Sequence, residues 1–122
     1  MSRPAAGSIV LVDRRVGALP HEPTRVRPAV VVEDHQLFPD EYPNTIVAPL
    51  TRDEGLAYAS FAERIDPTAD NGAESTCWAL AHHVTSVSLR RVTPTSSRIT
   101  ADQLGGIRQR MALALGIAPI RG

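Results

Sequence analysis

The sequence predicts a mainly β domain carrying one helix at its C-terminal end, a small twisted sheet or partly open barrel closed by that helix. Three observations predict it. Short β-branched runs recur at hairpin-like spacing: "SIVLV" at residues 8–12, "PAVVV" at residues 28–32 and "NTIVAPL" at residues 44–50. Proline and glycine punctuate the segments between them. The apolar period then changes from strand-like to helix-like in "ITADQLGGIRQRMALALG", residues 99–116. At 122 residues the chain has the length of one domain, spanning 1–122, with room for a single core.

The elements follow in order. Residues 8–12 form a first strand, opened by Gly7 and closed by "DRR". Residues 28–34 form a second; Pro28 neither donates to a ladder nor follows a helical residue, so it marks the strand's start and holds Arg27 extended. Between them "VGALPHEPTR", with two prolines and a glycine, fits neither period and is a surface loop. After the proline-bounded connection "HQLFPDEYP" comes a third strand at residues 44–50. The alternation of "LAYASFAERI" predicts a strand over 56–65 with weak one-sided burial. "DPTADNGAEST" is a turn-rich loop, "CWALAHHVTSV" a further strand over 77–87, and "RRVTP" a short edge piece. In the helix, Thr100 and Gln103 have the spacing of a capping box, Asp102 sits in the positive first turn and Gly116 is a natural stop. Leu104, Ile107, Met111 and Leu115 form its apolar stripe. Gly105 and Gly106 each weaken it by roughly 1 kcal/mol relative to alanine, so tertiary packing has to hold it.

Charge and cysteine content narrow the function. Basic and acidic side chains balance, 13 against 13, so the chain does not coat nucleic acid by bulk charge, although a local basic site remains open. Every basic residue is arginine, a planar fork that grips carboxylate or phosphate bidentately. Cys77 stands alone, which excludes an intrachain disulfide or a cysteine cluster for zinc and suits a reducing, cytoplasmic setting. The N-terminal apolar run is too short for a signal-peptide core or a membrane span, so no membrane partner is expected.

Two residues draw attention as chemistry. Arg27 lies at the hinge between loop and second strand, and Thr51 at the equivalent end of the third, where both ends can face one cleft. Arginine fixes a cation for a phosphate, and a threonine hydroxyl hydrogen-bonds its oxygens. Thr51 taken by itself reads equally as a turn-forming hydroxyl.

Taken in order, "GSIVLVD", a loop containing "HE", "RPAVVV", "IVAPLT", and a strand followed by "TSVSLRRV" and a helix resemble the MazF/PemK/Kid family of toxin ribonucleases, from residue 7 to residue 116. The resemblance implies an SH3-like barrel of the CcdB/PemK kind, a homodimer and a cognate antitoxin. It also implies cleavage of single-stranded RNA, ideally messenger RNA, without metal or other cofactor, leaving a 2′,3′-cyclic phosphate and a 5′-hydroxyl and arresting growth. Arg27 and Thr51 become the central catalytic pair, and the "HE" loop makes His21 and Glu22 candidate site residues. The chain departs from the family at "WALAHHVTS": an Asp-Gln or Glu-Gln pair followed by a hydrophobic residue and arginine is common where His82, His83, Val84 and Thr85 stand.

His82, at the position of the familiar acidic residue, is therefore a second candidate base beside His21, since an imidazole near pKa ~6.5 serves as acid or base at neutral pH. Strand alternation would send His83 to the opposite face, and His35 reads as solvated surface. Arg25, Arg52, Arg90 and Arg91, with Glu22, are candidate RNA-binding residues. Trp78 reads as core, with stacking on a base as its functional alternative. A binding or inhibitory module on the same barrel, nuclease-dead or poisoning gyrase by contact, is the alternative function. An SH3-like adaptor ranks last, because its peptide groove needs clustered aromatics and the five here do not cluster in the sequence.

Overall fold

A computed structural model describes residues 3–13 and 26–117. Among these residues the chain forms seven strands and one α-helix: β1 (Ser8–Asp13), β2 (Val26–Val31), β3 (Asn44–Thr51), β4 (Ala62–Ile65), β5 (Cys77–Leu80), β6 (Thr85–Ser88), β7 (Val92–Arg98) and α1 (Ala101–Ala114). All pairings are antiparallel, in the order β4-β5-β3-β2-β1-β7, with β6 also on β3. The two ends of this path do not pair, so the sheet is an open version of the barrel.

The expected strand over 77–87 is interrupted, for a reason that can be counted. From Leu50 to Val47 strand β3 advances three residues, while its partner advances six, from Ala79 to Thr85. The three extra residues leave the ladder as a 3-10 turn, Ala81–His83. The strand expected over 56–65 contracts to β4. Asp53 accepts the Gly55 amide at 2.9 Å and fixes a 3-10 turn at Glu54–Leu56, a local side-chain bond that competes with sheet pairing. The edge piece "RRVTP" proves longer on one side and shorter on the other: Leu89–Arg91 is a 3-10 turn, and β7 runs on to Arg98 along β1.

Alternation sorts the apolar residues to the two sides of the sheet. Ile9, Val30, Ala48, Ala79 and Ile65 lie under the helix, with Ile107 of α1 fully buried among them. Val10, Val12, Ala29, Val31, Val47 and Val87 cluster on the other side. The capping box forms as expected: Gln103 N–H donates to Thr100 Oγ1 at 3.1 Å, and Thr100 N–H to Gln103 Oε1 at 2.9 Å. Leu104 and Met111 pack on the core, but the stripe ends there, since Leu115 is 65% exposed beyond the last neighbouring element. Gly106 has a packing reason: a Cβ there would lie 2.2 Å from Glu63 Oε1, whose carboxylate pairs with Arg110 at 3.1 Å.

A buried ion pair ties the N-terminal segment to the sheet. Arg3 Nη2 donates to Glu33 Oε2 at 2.8 Å with both side chains almost wholly buried, and Glu33 Oε1 accepts the Ile46 amide at 2.9 Å. Arg3 also donates to the carbonyls of Tyr42 and Asn44, and its guanidinium lies over the Phe38 and Tyr42 rings. His35, expected as solvated surface, is half-buried and accepts the Ala6 amide on Nδ1 at 3.0 Å. Among the described residues no helix is long and apolar enough to cross a membrane.

Candidate functional site

The site begins where two strands stop pairing. The β2–β3 ladder ends at Ala29 opposite Pro49. Neither Pro28 nor Pro49 has an N–H to give, which weakens any continuation of the ladder. Extending the same register by two residues sets Arg27 opposite Thr51, on the same side of the sheet. The gap beside them is a cleft of about 580 Å³, and both residues line it together with Arg52. Its apolar floor includes Leu50, Ile65 and Cys77.

Each side chain is held in a way that suits an anion. Arg27 is exposed and, among the described residues, enters no ion pair. Thr51 Oγ1 accepts the Asp53 amide at 3.0 Å, so the turn-forming reading of this hydroxyl is correct. That bond occupies an acceptor lone pair and leaves the hydroxyl proton free to donate to a phosphate oxygen; the turn and the site use opposite ends of one group. Burial pushes the Cys77 thiol above its ordinary pKa, with the charge of Arg52 acting weakly against this, so it stays protonated at neutral pH.

The opposite wall is the loop at residues 66–76, a segment whose sequence showed only turns. Buried Asn71 organises it. Its Nδ2 donates to the Asp66 carbonyl at 2.8 Å, and its Oδ1 accepts the amides of Thr68 at 3.1 Å and Ala73 at 2.9 Å. Gly72 takes φ +66, and a Cβ there would come within 2.7 Å of Ser97 Oγ on β7, so only glycine fits. Thr76 Oγ1 donates to Asp66 Oδ1 at 2.8 Å, and that bond, with a second from Arg64, holds the Asp66 carboxyl below its ordinary pKa. This folding brings Glu74 to the cleft that Arg27 and Thr51 line. Sequence reasoning missed Glu74, because nothing in a turn-rich stretch marks which residue faces inward.

Arg27 also lines a second cleft of about 480 Å³, together with His83, Thr85 and Arg91. The histidines differ from expectation. The 3-10 turn at Ala81–His83 removes strand alternation, and the His82 and His83 rings meet edge to face at 4.3 Å instead of pointing to opposite faces. It is His83 that lines the second cleft, whereas His82 is among the lining residues of neither. His82 lies 5.3 Å from the Phe61 ring, which stacks on Tyr58 at 5.6 Å, and Phe38 lies 5.4 Å from Tyr42, so the aromatics do cluster, in two separate pairs, once the fold is formed. Partial desolvation lowers the His82 pKa, and the charge of His83 acts in the same direction.

Of the other expected site residues, His21, Glu22 and Arg25 lie outside the described residues. Arg90 is exposed, while Arg91 donates from Nε to the Asp13 carbonyl at 2.7 Å, tying the second cleft to the end of β1. Trp78 is half-buried and stands directly opposite Thr51 in the β3–β5 register. Among the described residues no group of three or more His, Cys, Asp or Glu side chains is arranged to hold a metal ion.

Residues 5–115 match the family described as PemK-like, MazF-like toxin of type II toxin-antitoxin system. Among solved structures, a MazE-MazF complex from Deinococcus radiodurans superposes with TM-score 0.67 at 24% identity, covering 94% of this chain and 98% of that one. The toxin MazF-mt6 of Mycobacterium tuberculosis gives TM-score 0.69 at 15% identity, covering 91% and 98%. An endoribonuclease in complex with its cognate antitoxin, from a mycobacterial species, gives 0.72 at 13% identity, covering 97% and 100%. No curated protein matches the chain significantly.

Proposed function

We propose that this chain, which belongs to the PemK-like, MazF-like toxins of type II toxin–antitoxin systems, is an endoribonuclease that cuts single-stranded RNA at the Arg27–Thr51 cleft. The observation that carries the reading is the pair itself: a guanidinium with no ion pair among the described residues and a hydroxyl with its proton available, on one cleft at the open end of the sheet. A base removes the proton of a ribose 2′-hydroxyl, the oxygen attacks the adjacent phosphorus, and the departing 5′-oxygen takes up a proton. The products are a 2′,3′-cyclic phosphate and a 5′-hydroxyl. Arg27 stabilises charge developing on the phosphoryl oxygens, and Thr51 donates to one of them.

His21, six residues ahead of Arg27 in the sequence, is the base in this scheme, with His82 second. Glu74 is the carboxylate that shares the cleft and the competing candidate for the same step. Arg52 and Arg91, which line the two clefts, bind backbone phosphates, Arg25 and Arg90 add further cations to them, and Glu22 is the candidate for accepting hydrogen bonds from a base edge. The antitoxin assignment rests on family membership and on the antitoxin-bound structures it resembles. A homodimer is also part of the proposal. Its support is Leu113, Leu115 and Ile117, all exposed at the end of the helix.

The deciding experiment incubates the purified chain with single-stranded RNA in excess chelator and identifies the fragment ends. Cyclic phosphate and 5′-hydroxyl ends are expected. Activity that vanishes with chelator and returns with magnesium would overturn this mechanism. Growth arrest that persists unchanged in Arg27→Ala, with no RNA cut, would make the chain a contact inhibitor instead.

A further inference from the structure

The rings of Tyr58, Phe61, His82 and His83 form a continuous surface ladder, with successive centroids 5.6, 5.3 and 4.3 Å apart. Tyr58, His82 and His83 are exposed and Phe61 half-buried, so the ladder lies at the surface. It is assembled from two segments distant in sequence, the 3-10 turn that extends β5 and the tight turn ahead of β4. A backbone bond clamps the two together, with the Ala81 amide donating to the Phe61 carbonyl at 2.9 Å. The ladder also has a direction. Its His83 end lies in the second cleft with Arg27 and Arg91, and Arg27 lines the Arg27–Thr51 cleft as well.

We propose that this ladder is a stacking track for the bases of single-stranded RNA flanking the cut, an inference that rests on the nuclease reading of the Arg27–Thr51 cleft. Aromatic and imidazole faces stack on any base, while arginines follow the phosphates, the combination by which a groove holds a single strand without reading its sequence. Charge and continuity select this occupant. The ladder runs out of a cleft bearing two arginines, which suits a polyanion that crosses the cleft and then lays its bases on the rings. Partial desolvation keeps the His82 imidazole neutral at neutral pH, which favours stacking over a purely ionic contact. The track therefore adds affinity for bases, whereas Arg27 and Arg91 act on phosphates.

Fluorescence anisotropy at fixed salt tests the track, using a labelled single-stranded RNA and an abasic oligonucleotide of the same length, each with the Thr51→Ala chain to prevent cutting. Tyr58→Ala and His82→Ala are each expected to weaken RNA binding by roughly 5- to 150-fold, the equivalent of one stacked base. Binding of the abasic strand should stay unchanged, and Tyr58→Trp should restore RNA affinity. Arg91→Ala should weaken both strands alike. Unchanged RNA affinity in the Tyr58 and His82 variants, or equal losses on both strands, would overturn the track. So would loss of self-association or antitoxin binding in Tyr58→Ala with RNA affinity intact, which would assign the rings to a protein interface. Cleavage separates this inference from its premise: a chain that cuts RNA but ignores the ring substitutions loses only the track, and one that binds through the rings but never cuts loses only the nuclease reading.

Discussion

Arg27 and Thr51 line one cleft at the end where β2 and β3 cease to pair, each two residues beyond the last pair, Ala29 and Pro49. This shared placement follows from backbone geometry. Prolines at 28 and 49 withhold ladder donors, the strands no longer need to stay in contact, and the opened end becomes a cleft lined by the Arg27 guanidinium and the Thr51 hydroxyl among its polar groups.

Arg27→Ala is expected to reduce cleavage by about 10²- to 10³-fold, the usual cost of one group that stabilises transition-state charge. Its side chain is exposed, so the melting temperature should barely move. Arg25→Ala should be milder. Single-turnover rates with parallel thermal melts check all three points, and equal losses at 25 and 27 would contradict the assignment.

Thr51→Ala should lose activity while Thr51→Ser keeps most of it, because serine can accept the Asp53 amide and still donate its proton. The alanine variant should lose about 1 kcal/mol of stability with the turn bond. If alanine and serine variants cut equally well, the hydroxyl serves the turn alone.

The pH profile distinguishes the candidate bases. With His21 as base, the cleavage rate should climb as pH rises through the histidine range and level off above it, and His21→Ala should cost roughly 10²- to 10⁴-fold. With His82 as base the climb would come at lower pH, since its pKa lies below the ordinary 6.5. The sign for stability agrees: a depressed imidazole pKa opposes protonation in the fold, so its contribution is complete above 6.5 and is lost as pH falls through the lowered value. A rate already flat above pH ~5, abolished by Glu74→Gln, would move the base to the loop carboxylate.

Asn71→Ala should loosen the cleft wall. It removes the acceptor for the amides of Thr68 and Ala73 and the donor to the Asp66 carbonyl, at a cost of about 1–3 kcal/mol for the buried groups left unpaired. KM for RNA should rise as the cleft loses a wall, and kcat should fall strongly only if Glu74 is the base. Steady-state kinetics with urea melts measure both effects.

Glu33→Ala should destabilise the fold by about 3–5 kcal/mol, because it strands the buried Arg3 guanidinium without its partner. Cleavage per folded molecule should be unchanged, since Arg3 and Glu33 line neither cleft. Urea denaturation gives the first number, and active-site-normalised rates the second.

The sequence by itself determined what depends on neighbours along the chain. The β-branched runs became β1, β2 and β3, the Thr100–Gln103 box capped the helix, and Pro28 marked the hinge that carries Arg27, because propensity, capping and proline geometry are local. It also set Arg27 and Thr51 at strand ends able to face one cleft, which both line, since strand ends can be located from turn residues. Tertiary structure decided the rest. Whether residues 77–87 make one strand or two depends on how far β3 advances beside them, so the turn that turns His82 against His83 has no signature in "WALAHHVTS". Glu74 reaches the cleft only because Asn71 and Gly72 fold the loop onto β7, and Tyr58 and Phe61 meet the histidines only across the bond from Ala81 to Phe61. Leu115 fits the helical period yet stays exposed, because periodicity identifies a face and not where its partner ends. The pattern of a segment fixes which of its residues share a side; what lies opposite that side is set by chain that is distant in sequence.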